Sequence, residues 1–198
     1  MKTIDCIQMS PEWFSARAGV PSASSFDSII TTKGESSKQK TKYMYRLAGE
    51  RITGCKEESY QNSAMQRGIE LESEARAFYE LTSADVKQVG FCLNEEPAYG
   101  CSPDGLVGDD GLVEFKCPLM ATHVGYLVKG NLYTDYLQQV QGQLLVTGRK
   151  WCDIVSYFPG IKPVIIRVER DEPFLIKLKV ELILFCESLE EIVTKIGG

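Results

Sequence analysis

Asp104, in Ser102-Pro103-Asp104-Gly105, is followed ten residues later by Glu114-Phe115-Lys116, and this trio is the part of the chain best equipped for chemistry. On an alternating strand Glu114 and Lys116 point to one face, while Val113, Phe115 and Cys117 point to the other. The second set is apolar and suited to burial, so a carboxylate and an ammonium interleaved with it call for a function. Two carboxylates, a backbone carbonyl and waters form an oxygen-donor set for Mg²⁺, with Mn²⁺ as an alternative. Such a cation makes water a usable nucleophile, and Lys116 would orient or deprotonate that water, its pKa lowered by the nearby cations. The reaction that fits is metal-dependent cleavage of a phosphodiester. The competing reading of an isolated trio is a hairpin with an ordinary surface ion pair.

Positioning the trio requires a tight return of the chain. Gly108-Asp109-Asp110-Gly111 supplies a hairpin between Asp104 and Glu114. Asp109-Asp110-Gly111 resembles a fragment of a calcium loop but lacks the other oxygen ligands, so it reads as turn chemistry. Helices are expected over 10–19, opened by Ser10 and Pro11, over 22–31 with Ser22 as cap, and over 41–53, stopped by Gly54. Another, over 63–81, has Ala64, Gly68, Leu71, Ala75 and Phe78 at helical spacing, which leaves Glu72 one step off the core stripe. Strands are expected over 86–93, 99–102, 112–117, 151–158 and 164–169, with helices over 121–128 and 133–146 between them. In the 133–146 helix Tyr133, Leu137, Val140 and Leu144 form the apolar stripe, leaving Gln138 and Gln141 on another face. A long last helix starts near Asp171 and Pro173 and buries Leu175, Leu178, Leu182, Phe185, Leu189 and Ile192. This order implies an α/β (α+β) fold, a central mixed sheet flanked by helices, with residues 1–198 forming a single domain.

Composition narrows the class. Seven cysteines, odd in number and without a C-x-x-C pair, argue against a zinc knuckle and a disulfide framework. Residues 2–8 lack the apolar run of a signal peptide, and no stretch approaches the ~20 apolar residues that span a bilayer, so a cytoplasmic protein without a membrane role is expected. The net charge of −5 is unusual for a nucleic-acid partner, but residues 1–51 carry eight Lys/Arg against five Asp/Glu. Lys33, Lys38, Lys40, Lys42, Arg46 and Arg51 thus give the first third a basic bias where a polyanion could bind. His123, the single histidine, leaves little room for mechanisms that need several.

Several separated segments extend the pattern: Trp13-x-x-x-Arg17-x-Gly19 with Ser22-Ala23-Ser24, Gly68-x-x-x-Glu72-x-x-Ala75-Arg76, Cys101 to Leu106, Glu114-Phe115-Lys116-Cys117-Pro118, and Gln139-Val140-Gln141. In this order they resemble the lambda-exonuclease (YqaJ-type viral recombinase) branch of the PD-(D/E)xK nucleases, whose restriction-endonuclease-like core is the fold the resemblance implies. It implies Asp104 and Glu114 as metal-binding carboxylates with the Phe115 carbonyl as a third ligand, Lys116 as the catalytic lysine, Glu72 as a helix carboxylate near the metals and Gln141 as the glutamine that holds water or the scissile phosphate. Arg17, Ser24 and Ser102 match positions that contact a terminal 5′-phosphate, and Met65 stands where an apolar side chain could wedge the duplex end apart. The family's basic residue after the second helix has no clean counterpart; Lys33 is nearby. By the same resemblance the chain is a Mg²⁺-dependent 5′→3′ exonuclease on double-stranded DNA, with one or two ions per subunit, that leaves 3′ overhangs for recombination. A homotrimeric ring, a single-strand-annealing partner and a phage or prophage origin go with it. The rival functions are an endonuclease of the same superfamily and a non-catalytic DNA-end-binding protein.

Overall fold

A computed structural model describes residues 2–56 and 63–197, with side chains from Gln66 onward in the second stretch. Two small sheets share the framework. Strands β1 (Lys2–Ile4), β2 (Phe91–Asn94) and β3 (Tyr99–Cys101) pair antiparallel in that order. The second sheet runs β4 (Gly105–Val107), β5 (Gly111–Lys116), β6 (Trp151–Ser156) and β7 (Val164–Glu169). Its outer pairs are antiparallel and its central pair, β5 with β6, is parallel, so the sheet is mixed as expected. A parallel pair needs a crossover, here provided by α4 (Met120–Lys129), α5 (Leu132–Asp135) and α6 (Leu137–Thr147).

That crossover explains the residue pattern of β5. One face of the sheet, with Leu112, Cys152 and Ile154, packs under Val140 and Leu144 of α6. The opposite face, with Val113, Phe115 and Val155, packs under Ala75 and Tyr79 of α3 (Ser63–Thr82). Covered on both sides, β5 is apolar throughout except where Glu114 and Lys116 interrupt it. The remaining core joins α2 (Lys40–Thr53) to α7 (Glu172–Ile196), where Tyr43, Met44 and Leu47 meet Leu178, Leu182, Phe185 and Leu189. Each of these fully buried leucine or phenylalanine side chains contributes about 1.5–3 kcal/mol. Asp171 caps α7, its carboxylate accepting from the Phe174 N–H at 3.0 Å, and Ser10 caps α1 (Pro11–Arg17) through the Trp13 N–H at 3.3 Å.

Several expected boundaries change. The helix expected over 133–146 is two, because Tyr136 leaves helical geometry at φ −125°, ψ 15°. The strand partner of β5 across the expected hairpin is the three-residue β4, which begins immediately after Asp104. Ser22 does not cap through its side chain; a 3₁₀ segment, Ala23–Ser28, follows it, and the Ser22 hydroxyl is engaged elsewhere. This segment packs on α6 at Gly142, where a Cβ would come within 2.4 Å of the Phe26 ring. The close approach brings Ser22 and Ser24 beside the helix that covers the trio.

Candidate active site

Asp104, Glu114, Phe115 and Lys116 line one open cleft of about 500 Å³, together with Glu72 from α3 and Tyr136 from the break between α5 and α6. The hairpin therefore brings the two carboxylates to a common space. Asp104 is fixed by its Oδ2, which accepts from the Phe115 N–H at 2.6 Å. Glu114 is only 4% exposed, and three donors hold it. Its Oε1 accepts from Lys116 Nζ at 2.8 Å and Gln139 Nε2 at 2.5 Å, and its Oε2 from Gln143 Nε2 at 2.7 Å. With two lone pairs per oxygen, the Oε2 retains one open acceptor position. The Lys116 ammonium also donates to Gln139 Oε1 at 3.0 Å and lies 4.5 Å from the Tyr136 ring centroid, a cation–π contact.

Like charge concentrates here. Burial, and then the Glu114 and Glu72 carboxylates, push the Asp104 carboxyl well above its usual range. Glu72 is raised chiefly by burial, which its ion pair with Arg76 at 2.8 Å only partly offsets. For Lys116, burial lowers the pKa, but Glu114 and Asp104 outweigh it and hold the ammonium above its ordinary value. The protein's own side chains thus act on Lys116 in the sense opposite to the expected lowering, which required cations alongside. Three mutually repelling hard-oxygen donors match what a divalent cation would relieve, so the residues present fit Mg²⁺ or Mn²⁺. Among the described residues, no group of three or more His, Cys, Asp or Glu is placed to hold an ion by side chains alone. The donor set therefore has to include main-chain carbonyl and water oxygens, as Mg²⁺ prefers.

One expected site residue is elsewhere. Gln141 is fully buried away from the trio: its Nε2 donates to the Tyr133 hydroxyl at 3.0 Å and the Glu169 carbonyl at 2.9 Å, and its Oε1 accepts from the Asp171 N–H at 2.9 Å. It ties α6 to the start of α7. Gln139 and Gln143, four residues apart on the opposite flank of the Val140–Leu144 stripe, are the glutamines that reach the site. Their spacing was the available signal. Gln143 is the more constrained of the two, since its buried Oε1 has no hydrogen-bond partner among the described residues. An unsatisfied buried acceptor costs about 1–3 kcal/mol, and the amide's satisfied bond goes to Glu114. Gln143→Leu is expected to weaken binding of Mn²⁺ by about tenfold in calorimetry, because Glu114 loses its orienting donor. Unchanged affinity would reduce Gln143 to a packing residue. Met65 belongs to α3, but its side chain lies outside the described residues.

A second cleft lies around Arg17. Its Nη1 donates to Ser102 Oγ at 3.1 Å, and its Nη2 to Ser22 Oγ at 3.1 Å and Ser24 Oγ at 3.2 Å. Trp13 Nε1 donates to the same Ser102 hydroxyl at 2.8 Å, and the Trp13 ring stacks 4.2 Å under the guanidinium. Arg17, Ser24 and Ser102 are therefore one network, and Ser22 joins it. The Arg17 Nε is buried with no partner among the described residues, a donor still to be satisfied. This cleft, of about 290 Å³, shares Ser24 with a neighbouring hollow that also contains Tyr136 and Gln139. Tyr136 in turn lines the acidic cleft. Each hollow thus shares one lining residue with the next.

Solved structures share this arrangement of elements. An alkaline exonuclease from Laribacter hongkongensis, LHK-Exo, matches at 36% identity and a TM-score of 0.84, over 94% of this chain and 96% of that one. The same enzyme crystallised with dAMP matches at 37% identity and a TM-score of 0.85, over the same shares. A phage-related exonuclease from Haemophilus somnus 129PT shares the fold at 15% identity and a TM-score of 0.73, over 90% of this chain and 96% of that one. No curated protein matches. The mixed sheet with its flanking helices is thus the nuclease fold of these exonucleases. The chain belongs to the YqaJ-like viral recombinase domain family, whose model matches residues 12–150.

Proposed function

We propose that this protein is a Mg²⁺-dependent exonuclease that degrades double-stranded DNA 5′→3′ and leaves 3′ single strands for phage-type recombination. The observation that carries the reading is the pairing of the cleft lined by Asp104, Glu114 and Lys116 with the Arg17 cleft, a hollow lined by Ser24 and Tyr136 sharing one residue with each. The Arg17 cleft suits a terminal phosphate and the acidic cleft suits phosphodiester chemistry. Arg17 Nη1 keeps a second N–H beyond its bond to Ser102, and the Ser102 hydroxyl, which accepts from Arg17 and Trp13, keeps its proton to donate to an anion. Anchoring the 5′-phosphate there sets which phosphodiester reaches the carboxylates.

In the acidic cleft Asp104, Glu114 and the Phe115 carbonyl would hold the cation, with Glu72 close by. When bound, the cation supplies Lewis-acid activation of water and neutralises phosphate charge. Lys116, held by Glu114 and Gln139, directs its remaining N–H at the water or a phosphate oxygen and stabilises charge as the bond breaks. Gln139 couples the lysine to the carboxylate and keeps both in place. A ring-shaped homotrimer and a single-strand-annealing partner complete the proposal. Among the described residues no helix is long and apolar enough to cross a membrane.

A covalently closed duplex separates this reading from endonuclease activity: with Mg²⁺, a linear 5′-phosphorylated duplex is expected to release nucleotides while the closed circle stays intact. Nicking of the circle would favour the endonuclease, and binding without release the non-catalytic reading. Arg17→Ala is expected to narrow the rate gap between 5′-phosphorylated and 5′-hydroxyl ends by about tenfold or more, since a charge-assisted bidentate donor is lost. An unchanged gap would remove the phosphate pocket.

A further inference from the structure

The Arg17 cleft carries more positive charge than its hydroxyl network requires. Arg46 and Lys56 also line it, and among the described residues Glu50 is the carboxylate beside them. Three cations thus converge on the described part of the cleft. Glu50 is itself committed, accepting from the Gly19 N–H at 2.9 Å and lying 3.9 Å from Arg46 Nε. Lys56 is half-buried, with its ammonium 5.5 Å from the Trp13 ring centroid and 5.2 Å from that of Phe14. Trp13 thus sits in contact with both Arg17 and Lys56, and the two aromatic rings fix the lysine at the mouth of the cleft. Arg46 is held over the Tyr43 ring at 4.9 Å. Burial first, and then the Arg17 guanidinium, lowers the Lys56 pKa, with Glu50 acting in the opposite sense.

An internal phosphodiester brings one negative charge, whereas a terminal phosphomonoester brings about −1.5 to −2 at neutral pH. We infer that Lys56, supported by Arg46, is a specificity-determining residue that matches this cleft to the dianionic phosphomonoester of a 5′ end rather than to a backbone phosphate. This inference rests on the reading of the Arg17 cleft as the end-anchoring pocket. Arg17 and the serines supply hydrogen-bond direction; Lys56 and Arg46 supply the second unit of charge.

The test compares kcat/KM on linear duplexes with 5′-phosphoryl and 5′-hydroxyl ends, at fixed low ionic strength so that screening does not mask the effect. Lys56→Ala is expected to reduce the phosphoryl-over-hydroxyl preference about fivefold to tenfold, Arg46→Ala to reduce it less, and Lys56→Arg to restore it. Thermal unfolding of each variant within about 2 °C of wild type separates lost charge matching from lost folding. If Arg17→Ala collapses the preference and Lys56→Ala leaves it intact, the inference is overturned while the anchoring pocket stands. If neither variant changes the preference, the pocket itself is wrong and the inference falls with it.

Discussion

Lys116→Ala is expected to lower DNA hydrolysis by about 10³-fold or more while leaving Ca²⁺-supported binding of a 5′-phosphorylated duplex within a few-fold of wild type. Among the described residues, the Lys116 ammonium is the cation that lines the cleft with Asp104 and Glu114, and its hydrogen bonds to Glu114 and Gln139 leave a third N–H for the reacting groups. Removing it strips the reacting phosphate of a positioned donor. Binding survives because the Arg17 cleft, which anchors the end, is built from other elements. Lys116→Arg should rescue poorly, since a planar guanidinium cannot reproduce the same two short contacts above the Tyr136 ring. Wild-type turnover by Lys116→Ala would remove the lysine from the mechanism.

Asp104→Asn is expected to abolish turnover and, in the presence of a chelator, to make the fold more stable. The Asp104 carboxyl is buried and faces Glu114 and Glu72, so its folded pKa is raised well above 3.8. A raised carboxyl pKa means that the folded state binds the proton more tightly than the unfolded one. Stability is therefore present below the ordinary carboxylate pKa and is lost as pH rises through the folded value. Asparagine removes that repulsion, and its side-chain oxygen can still accept from the Phe115 N–H. Thermal unfolding in EDTA should show Asp104→Asn gaining on the order of 2–4 °C at pH 8 and little near pH 4, corresponding to about 1 kcal/mol. Saturating Mg²⁺ should reverse the order, because only wild type has the ligand. A variant less stable than wild type at pH 8 in EDTA would contradict the electrostatic account.

The trio was legible because its chemistry is local: ten residues, two turn glycines and one alternating strand place Asp104 and Glu114 in a common cleft. The β5 pattern of apolar residues broken by Glu114 and Lys116 reflects helices on both faces, which a mixed sheet with a crossover requires. The Arg17 network was legible only through the resemblance, since Ser102 is 85 residues from Arg17 in the chain. The error at Gln141 has a definite cause. The resemblance placed Gln141 at the site, but within α6 the flank of the Val140–Leu144 stripe that reaches Glu114 holds Gln139 and Gln143. Hydrophobic spacing locates the buried stripe but does not say which flank meets the strand. The three-residue β4 is too short for any periodicity to appear. Lys56 escaped notice because it lies beyond Gly54, at the end of α2, where sequence spacing gives no hint that it returns over Trp13 and Phe14.

The central claim is that a carboxylate pair with a neighbouring lysine cuts DNA inward from a phosphorylated 5′ end. Its most direct test is a linear duplex labelled separately at the 5′ and 3′ ends of one strand, incubated with the protein and Mg²⁺ and sampled over time. The account predicts early release of the 5′ label as a mononucleotide, a 3′ label that stays in long single strands, and no release in EDTA. Early loss of the 3′ label, internal fragments, or equal release in EDTA would contradict it.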